Sequence, residues 1–371
     1  MRRILISSLL LAAVALAAPI ATAQILYGQP TSGNLGLIYT HWKLEGLGGE
    51  LTLGQWLLPV NGFLPLGDDL EARYYVARVG NALSTIAGDQ ELDGLTDLRV
   101  QIARSLARDR YLLSAGLNLP TGKTGLDPGS ELPVMTMLTQ NFLQLPARRL
   151  GEGFGLNLLA GTAATWGERR VGFSVAFNYE GAYEAYAGAG DYDPGDSLVL
   201  TAGVQGGRGP WTWHGDVSFT THGDDQLDGR KVYSQGDQLG WQAGAQLARP
   251  NRRASLQARY LIRGRNEQFD AAESLASRLK VYGNELALAG TLAWVRFDGL
   301  YGGPVAEFRR IAGNEYGFGG TTVLGFGLLA GRPLGRQFDL SGGLKFFTGN
   351  TDDGNIDLSG YQVSLSLSGH L

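Results

Sequence analysis

Hydrophobic and polar residues alternate strictly toward the end of the chain. Tyr361, Val363, Leu365 and Leu367 share one parity, and Gln362, Ser364, Ser366 and Ser368 share the other. A period of two marks a strand whose faces meet different surroundings. The pattern recurs upstream: Trp211, Trp213, Val217 and Phe219 alternate with Thr212, His214, Asp216, Ser218 and Thr220, and Leu98, Val100 and Ile102 oppose Asp97, Arg99 and Gln101. Val171 to Tyr179 and Ala254 to Ile262 repeat it, with Arg259 and Arg263 again on the polar side. A lipid-facing Arg or Lys near a bilayer midplane costs about 2–4 kcal/mol, whereas one in a wet lumen costs little, so a membrane barrel sorts its charges to one parity. Trp166, Tyr179, Trp211, Trp241, Tyr260 and Trp294 fall near strand ends, where aromatic girdles belong.

The pattern predicts strands near 35–44, 50–60, 69–80, 94–106, 110–120, 152–166, 170–182, 196–206, 209–222, 231–249, 252–264, 281–294, 298–311, 316–331, 336–348 and 357–371. The fold class is therefore all-β: a transmembrane antiparallel up-and-down β-barrel of about sixteen strands, or fourteen if residues 24–50 form a plug in the lumen. Short turns at 107–110, 167–170, 206–210, 249–253, 295–298 and 332–336 interleave with longer loops near 120–151, 181–196, 223–231, 264–283 and 349–357. That asymmetry matches periplasmic turns and extracellular loops, and it places the C-terminus on the periplasmic side. A secreted β-sandwich or propeller also alternates, because one face packs on a core. Long strands, alternation running to the chain end and the two classes of connection favour the closed barrel.

Arg2 and Arg3, the apolar run from Ile4 to Ala18 and the small triplet Ala21-Thr22-Ala23 read as a secretory signal peptide. The expected division is a signal peptide over 1–23 and a single barrel domain over 24–371, exported through the periplasm to a bacterial outer membrane. No later apolar stretch approaches the roughly 20 residues of a spanning helix. The chain has no Cys, which excludes a lipid-anchored cysteine, disulfides and thiolate metal sites. Its formal net charge of −4 becomes more negative once Arg2 and Arg3 are removed, which argues against nucleic acid as a partner. The 56 Gly residues suit many turns and a tightly curved sheet.

Gly94-Leu95-Thr96-Asp97-Leu98-Arg99-Val100, a tight turn at 107–110 and Ala115-Gly116-Leu117-Asn118-Leu119-Pro120-Thr121-Gly122-Lys123 form a recognisable constellation. Over about 30 residues it resembles the outer-membrane family named for the meta-pathway of phenol degradation, whose members look like relatives of the long-chain fatty-acid transporter type. The resemblance implies a barrel that takes up hydrophobic compounds. Thr96 stands where that family usually has Gly, and Leu371 where outer-membrane barrels commonly end in Phe. Read physically, Pro120 ends pairing, Thr121-Gly122 turns the chain and Lys123 begins the longest loop in solvent.

That loop holds the first candidate chemistry. Val134, Leu138, Phe142 and Leu145 recur at helical spacing after Ser130 and Pro133, predicting a short amphipathic helix. Met135 and Met137 sit on it, and flexible thioethers suit apolar ligands of variable shape. Met135, Met137, Leu138 and Phe142 are thus the substrate or gate candidates. Phe269, Ala272, Ala276 and Leu279 suggest a second helical cap over the mouth. Arg73, Arg99, Arg259 and Arg263 share inward parity with Glu71, Asp97 and Gln257, forming a lumen charge ladder that either sets solute preference or pairs across the wall.

His214, Asp216 and Ser218 share a strand face and invite comparison with hydrolases, but residues two apart on a strand sit about 6.5–7 Å apart, too far for easy nucleophile-to-base bonding. No enzyme is expected. Acidic clusters at Asp352, Asp353 and Asp357 and at Asp224, Asp225 and Asp228 read as solvated turns, so no metal and no cofactor is expected. The expected function is a passive outer-membrane channel or transporter for small, hydrophobic or aromatic solutes. The alternative is a structural or assembly barrel without transport. Expected partners are outer-membrane lipids and lipopolysaccharide, a small-molecule solute and the barrel-assembly machinery during biogenesis.

Overall fold

Strands with one oily and one polar face have two stable arrangements: packing on a second sheet, or closing on themselves in lipid. This chain closes. The computed structural model describes residues 31–46 and 49–370, so the leader assigned to 1–23 lies outside the described residues. The wall contains β1 (Ser32–Gly46), β2 (Gly49–Pro65), β3 (Leu70–Thr85), β4 (Gly88–Leu95), β5 (Leu98–Leu106), β6 (Tyr111–Leu119), β7 (Gly155–Trp166) and β8 (Arg169–Glu180). It continues through β10 (Ser197–Arg208), β11 (Trp211–His222), β14 (Gln238–Arg249), β15 (Arg252–Arg263), β18 (Glu285–Val295), β19 (Tyr301–Ile311), β20 (Thr321–Leu334), β21 (Phe338–Thr351) and β22 (Ile356–His370).

Each strand pairs antiparallel with its neighbours, and β22 pairs with β1 from His370↔Ser32 to Ile356↔Gly46, closing the ring. β4 and β5 pair with successive parts of β3 and act as one crossing broken at Thr96 and Asp97. The ring therefore has sixteen crossings. Residues 32–46 form a wall strand, so the fourteen-strand alternative with residues 24–50 as a plug does not hold for its described part.

Parity sorts as expected. Val217, Phe219, Val363 and Leu365 are exposed outward rather than dry between two sheets. From Val171 to Tyr179 the outward positions cover about 26 Å of strand at about 3.3 Å per residue, which at a tilt of about 40° accounts for about 20 Å of an apolar band about 25 Å tall. Trp166, Trp211 and Trp294 lie at the short-turn end of this band, whereas Tyr179, Trp241 and Tyr260 lie toward the loop end, with the last two rings 6.0 Å apart. Glycines let aromatic rings lie flat across the outer wall: a Cβ on Gly80 would fall 2.1 Å from the Trp56 ring nitrogen.

This sorting gives a direct test. Val217→Arg is expected to weaken folding into lipid vesicles by about 2–4 kcal/mol, whereas Ser218→Arg, one residue on, changes it little. Urea equilibrium unfolding from vesicles reads the difference, and equal costs for the two variants would refute the inside–outside assignment.

Three long connections do not remain loops. β9 (Tyr192–Asp193), β12 (Asp224–Leu227), β13 (Arg230–Ser234), β16 (Asn266–Phe269) and β17 (Leu275–Leu279) build a second, five-stranded sheet at the loop end. The helical cap read from Phe269, Ala272, Ala276 and Leu279 is thus a β-hairpin: Asp270 accepts the backbone N–H groups of Ala272 and Ser274, which turns the chain where a helix would continue. The expected strand at 231–249 is likewise split into β13 and β14, and the loop at 349–357 shrinks to a 3₁₀ turn at Asp352–Gly354.

Candidate functional site

The longest connection, 120–154, folds into the lumen. Its helix α1 (Leu132–Leu138) begins beside Pro133, as the sequence implied, but ends before Phe142 and Leu145. Val134 and Leu138 are buried, and Met135 and Met137 pack at the edge of the same cluster. That cluster includes Leu53, Leu57, Val79, Leu83 and Leu92, so the inner faces of β2–β4 carry an apolar strip that the loop covers. The loop then reaches Arg309 on β19, eight strands from β6 around a ring of sixteen. Arg309 Nη1 donates to the carbonyls of Asn141 and Phe142 at 3.5 and 3.4 Å, and the Phe142 ring stacks on Phe318. The loop therefore crosses the lumen.

Two buried polar groups hold it there. Gln55 on β2, 1 % exposed, donates to Ala147 O at 2.7 Å and accepts from Ala147 N at 3.0 Å, imitating a strand pair, while also donating to Asn81. Asp97, at the break between β4 and β5, accepts Gly122 N, Glu152 N and Asn118 Nδ2 at 2.7, 2.7 and 2.9 Å, clamping both loop ends. The clamp needs Gly122, because a Cβ there would lie 2.2 Å from Leu150 O. Thr96 Oγ1 accepts Ala77 N, and Thr121 Oγ1 accepts Leu98 N. The two halves of the Gly94–Val100 and Ala115–Lys123 constellation thus dock on one another. Lys123 pairs with Glu131 rather than standing free in solvent. Its bond, with that of Asp127 N, holds the Glu131 carboxyl below its ordinary value against the opposing effect of burial.

The predicted charge ladder resolves into separate pairs. Arg73 meets Glu71 at 2.8 Å and Arg99 meets Glu152 at 2.9 Å. Arg259 and Arg263 instead converge on Glu285, at 2.5 and 2.9 Å, and Arg309 Nε approaches the same carboxylate at 3.6 Å. Arg148, from the loop, is within Coulombic reach of this group. Glu285 is 2 % exposed and serves three guanidiniums. Lys345 pairs with Glu307 at 2.8 Å.

Beside this cluster lies a lumen cavity of about 330 Å³. Trp42 and Phe347, stacked at 5.0 Å, line it from the β21–β1 side; Arg259, Glu307 and Arg309 line it from β15 and β19; and Phe142 and Gln144 close it from the loop. Of the four gate candidates, Phe142 borders the cavity, whereas Met135, Met137 and Leu138 lie in the apolar seam that seats the loop. Glu285, Arg309, Trp42, Gln55 and Lys345 were not singled out by sequence reasoning. Inward parity marks Gln55, Glu285, Arg309 and Lys345 as lumen-facing, but only the curvature of the ring brings them near one another.

His214, Asp216 and Ser218 line the wall on β11, and among the described residues no hydrogen bond joins them; Asp216 Oδ2 has no partner. The acidic turns are latches. Asp352 and Asp353 accept Gly319 N and Gly320 N at 2.7 and 2.8 Å, tying the β21–β22 turn to the β19–β20 loop, and the Gly319 bond, with one from Asn355 Nδ2, holds the Asp352 carboxyl below its ordinary value. Asp225 accepts from the Tyr192 hydroxyl, whose pKa is pushed well up by burial and by that bond, while Asp224 pairs with Lys231.

No family model matches the chain, and no curated protein matches it. Among solved structures it is similar to an outer-membrane channel from Pseudomonas putida F1, with 12% identity over 95% of this chain and 100% of that one and a TM-score of 0.39. It is similar to OprD of Pseudomonas aeruginosa, with 12% identity over 93% and 96% of the chains and a TM-score of 0.44. It also resembles OprB of Pseudomonas putida, with 12% identity over 90% and 92% and a TM-score of 0.43.

Proposed function

We propose that this chain is a passive bacterial outer-membrane channel for small solutes, with the polar lumen as conduit and the crossing loop as its constriction. The observation carrying this reading is the cavity beside Phe142, where the loop narrows a sixteen-strand lumen without filling it. A barrel of this size leaves an aqueous channel unless something obstructs it. The apolar outer band and its aromatic ends support residence in lipid, with lipopolysaccharide as a neighbour on the loop side and the barrel-assembly machinery acting during biogenesis. Hydrophobic or aromatic solutes are favoured because Trp42, Phe142 and Phe347 border the cavity. Met135 and Met137 then act as a pliable hinge behind Phe142 rather than as a contact surface.

A structural barrel plugged by its own loop is the second reading, favoured by the loop's dense apolar seam. Reconstitution in planar bilayers and proteoliposomes separates the two. The channel reading expects discrete current steps and entry of small sugars, with current reduced more by benzyl alcohol than by a sugar at equal concentration. Neither steps nor solute entry would establish the plugged barrel.

A further inference from the structure

We propose that the lumen cavity selects small monocarboxylates that carry a flat apolar ring, the carboxylate lying among Arg259, Arg309 and Lys345 and the ring against Phe347 and Phe142. The inference deepens the channel reading, and its transport aspect rests on that reading.

Four observations carry it. First, Arg259, Arg309 and Lys345 line the cavity against a single lining carboxylate, Glu307. Second, the carboxylate that Arg259 and Arg309 share lies behind the wall: Glu285 is 2 % exposed and is not among the residues that line the cavity. Third, cations outnumber carboxylates in the cluster behind that wall as well: Arg259, Arg263 and Arg309 share Glu285, Lys345 takes Glu307, and Arg148 adds a further guanidinium. Guanidiniums match carboxylates in geometry as well as sign. Fourth, the cavity is apolar on its Trp42–Phe347 side and has about 330 Å³, near the low end of small-molecule sites, which run from about 300 Å³.

Together these exclude the neighbouring chemistries. A neutral aromatic alcohol satisfies the rings but leaves the excess positive charge unanswered. An aromatic amine carries the wrong sign, and a compact dianion such as phosphate strips water from two charges to meet an aromatic wall. One negative charge on an apolar ring satisfies both sides.

The test compares benzoate, benzyl alcohol and benzylamine, which differ mainly in charge and donor pattern. Each is titrated calorimetrically into the detergent-solubilised full chain and added to single channels in planar bilayers. Benzoate is expected to bind about tenfold more tightly than benzyl alcohol, with benzylamine weakest. Arg259→Gln removes one lining charge while Glu285 keeps Arg263, and is expected to lower benzoate affinity about fivefold while sparing benzyl alcohol. Lys345→Met, away from the loop contacts, provides a second variant and weakens benzoate alone. Equal affinity for the three ligands, or benzoate binding indifferent to both variants, overturns the inference, while the current steps decide the channel reading separately. Benzoate binding by a protein that passes no current would keep the site and overturn the channel.

Discussion

Glu285→Gln is expected to lower the free energy of unfolding from lipid by about 3 kcal/mol, more than any other single change in the lumen, because removing one partner of a buried charge group strands the others. Glu285 accepts from Arg259 and Arg263 and lies 3.6 Å from Arg309, so its neutral isostere leaves mutually repelling guanidiniums around one amide. Arg259 is 38% exposed along its side chain and regains water, but Arg263 and Arg309, at 15% and 13%, cannot fully do so. Arg263→Gln in the Glu285→Gln background is therefore expected to restore part of the loss, although Arg263→Gln alone is destabilising. Urea midpoints of the four proteins in vesicles form a double-mutant cycle. An additive cycle would show that Glu285 and Arg263 act independently and would dissolve the cluster as a unit.

The wall of this protein was legible from its sequence because the membrane imposes one rule on every strand. Val217 and Ser218 report opposite surroundings through parity alone, and the short turns at 107–110 and 167–170 reveal which end is which. What the sequence obscured lies where other interactions override local pattern. Phe269 to Leu279 has helical spacing yet forms a hairpin, because the strand-ready edge of β13 and the Asp270 turn stabilise pairing instead. The site was half legible. Arg259 and Arg263 read as lumen charges, and Phe142 as a loop residue of consequence. Their assembly with Arg309, Glu285 and Trp42 depends on strands far apart in sequence and on a loop that crosses the ring. Asp97 shows the same limit within a motif: its residues were visible, but only the fold shows that they clamp Gly122 and Glu152.

Replacing residues 126–147 with a short Gly-Ser turn is expected to raise single-channel conductance by a factor of about three or more, because the segment crosses a sixteen-strand lumen from Gln55 on β2 to Arg309 on β19. The replacement leaves Asp97 with its contacts to Gly122, Asn118 and Glu152, so the loop base keeps its seat. It also uncovers Leu53, Leu57, Val79, Leu83 and Leu92 to lumen water, at a cost in stability that heat-modifiable gel migration checks before any current is recorded. Gln55→Ala is the graded counterpart. Losing both bonds to Ala147 loosens the segment without removing it, so the expected result is a noisier open current with a nearly unchanged mean. The two variants thus distinguish a constriction from a plug. A constricting loop yields current in the parent protein and more in the shortened one, whereas a plug yields current only after shortening. Unchanged conductance in the shortened protein would mean that the narrowest point lies elsewhere and that the cavity beside Phe142 does not govern passage.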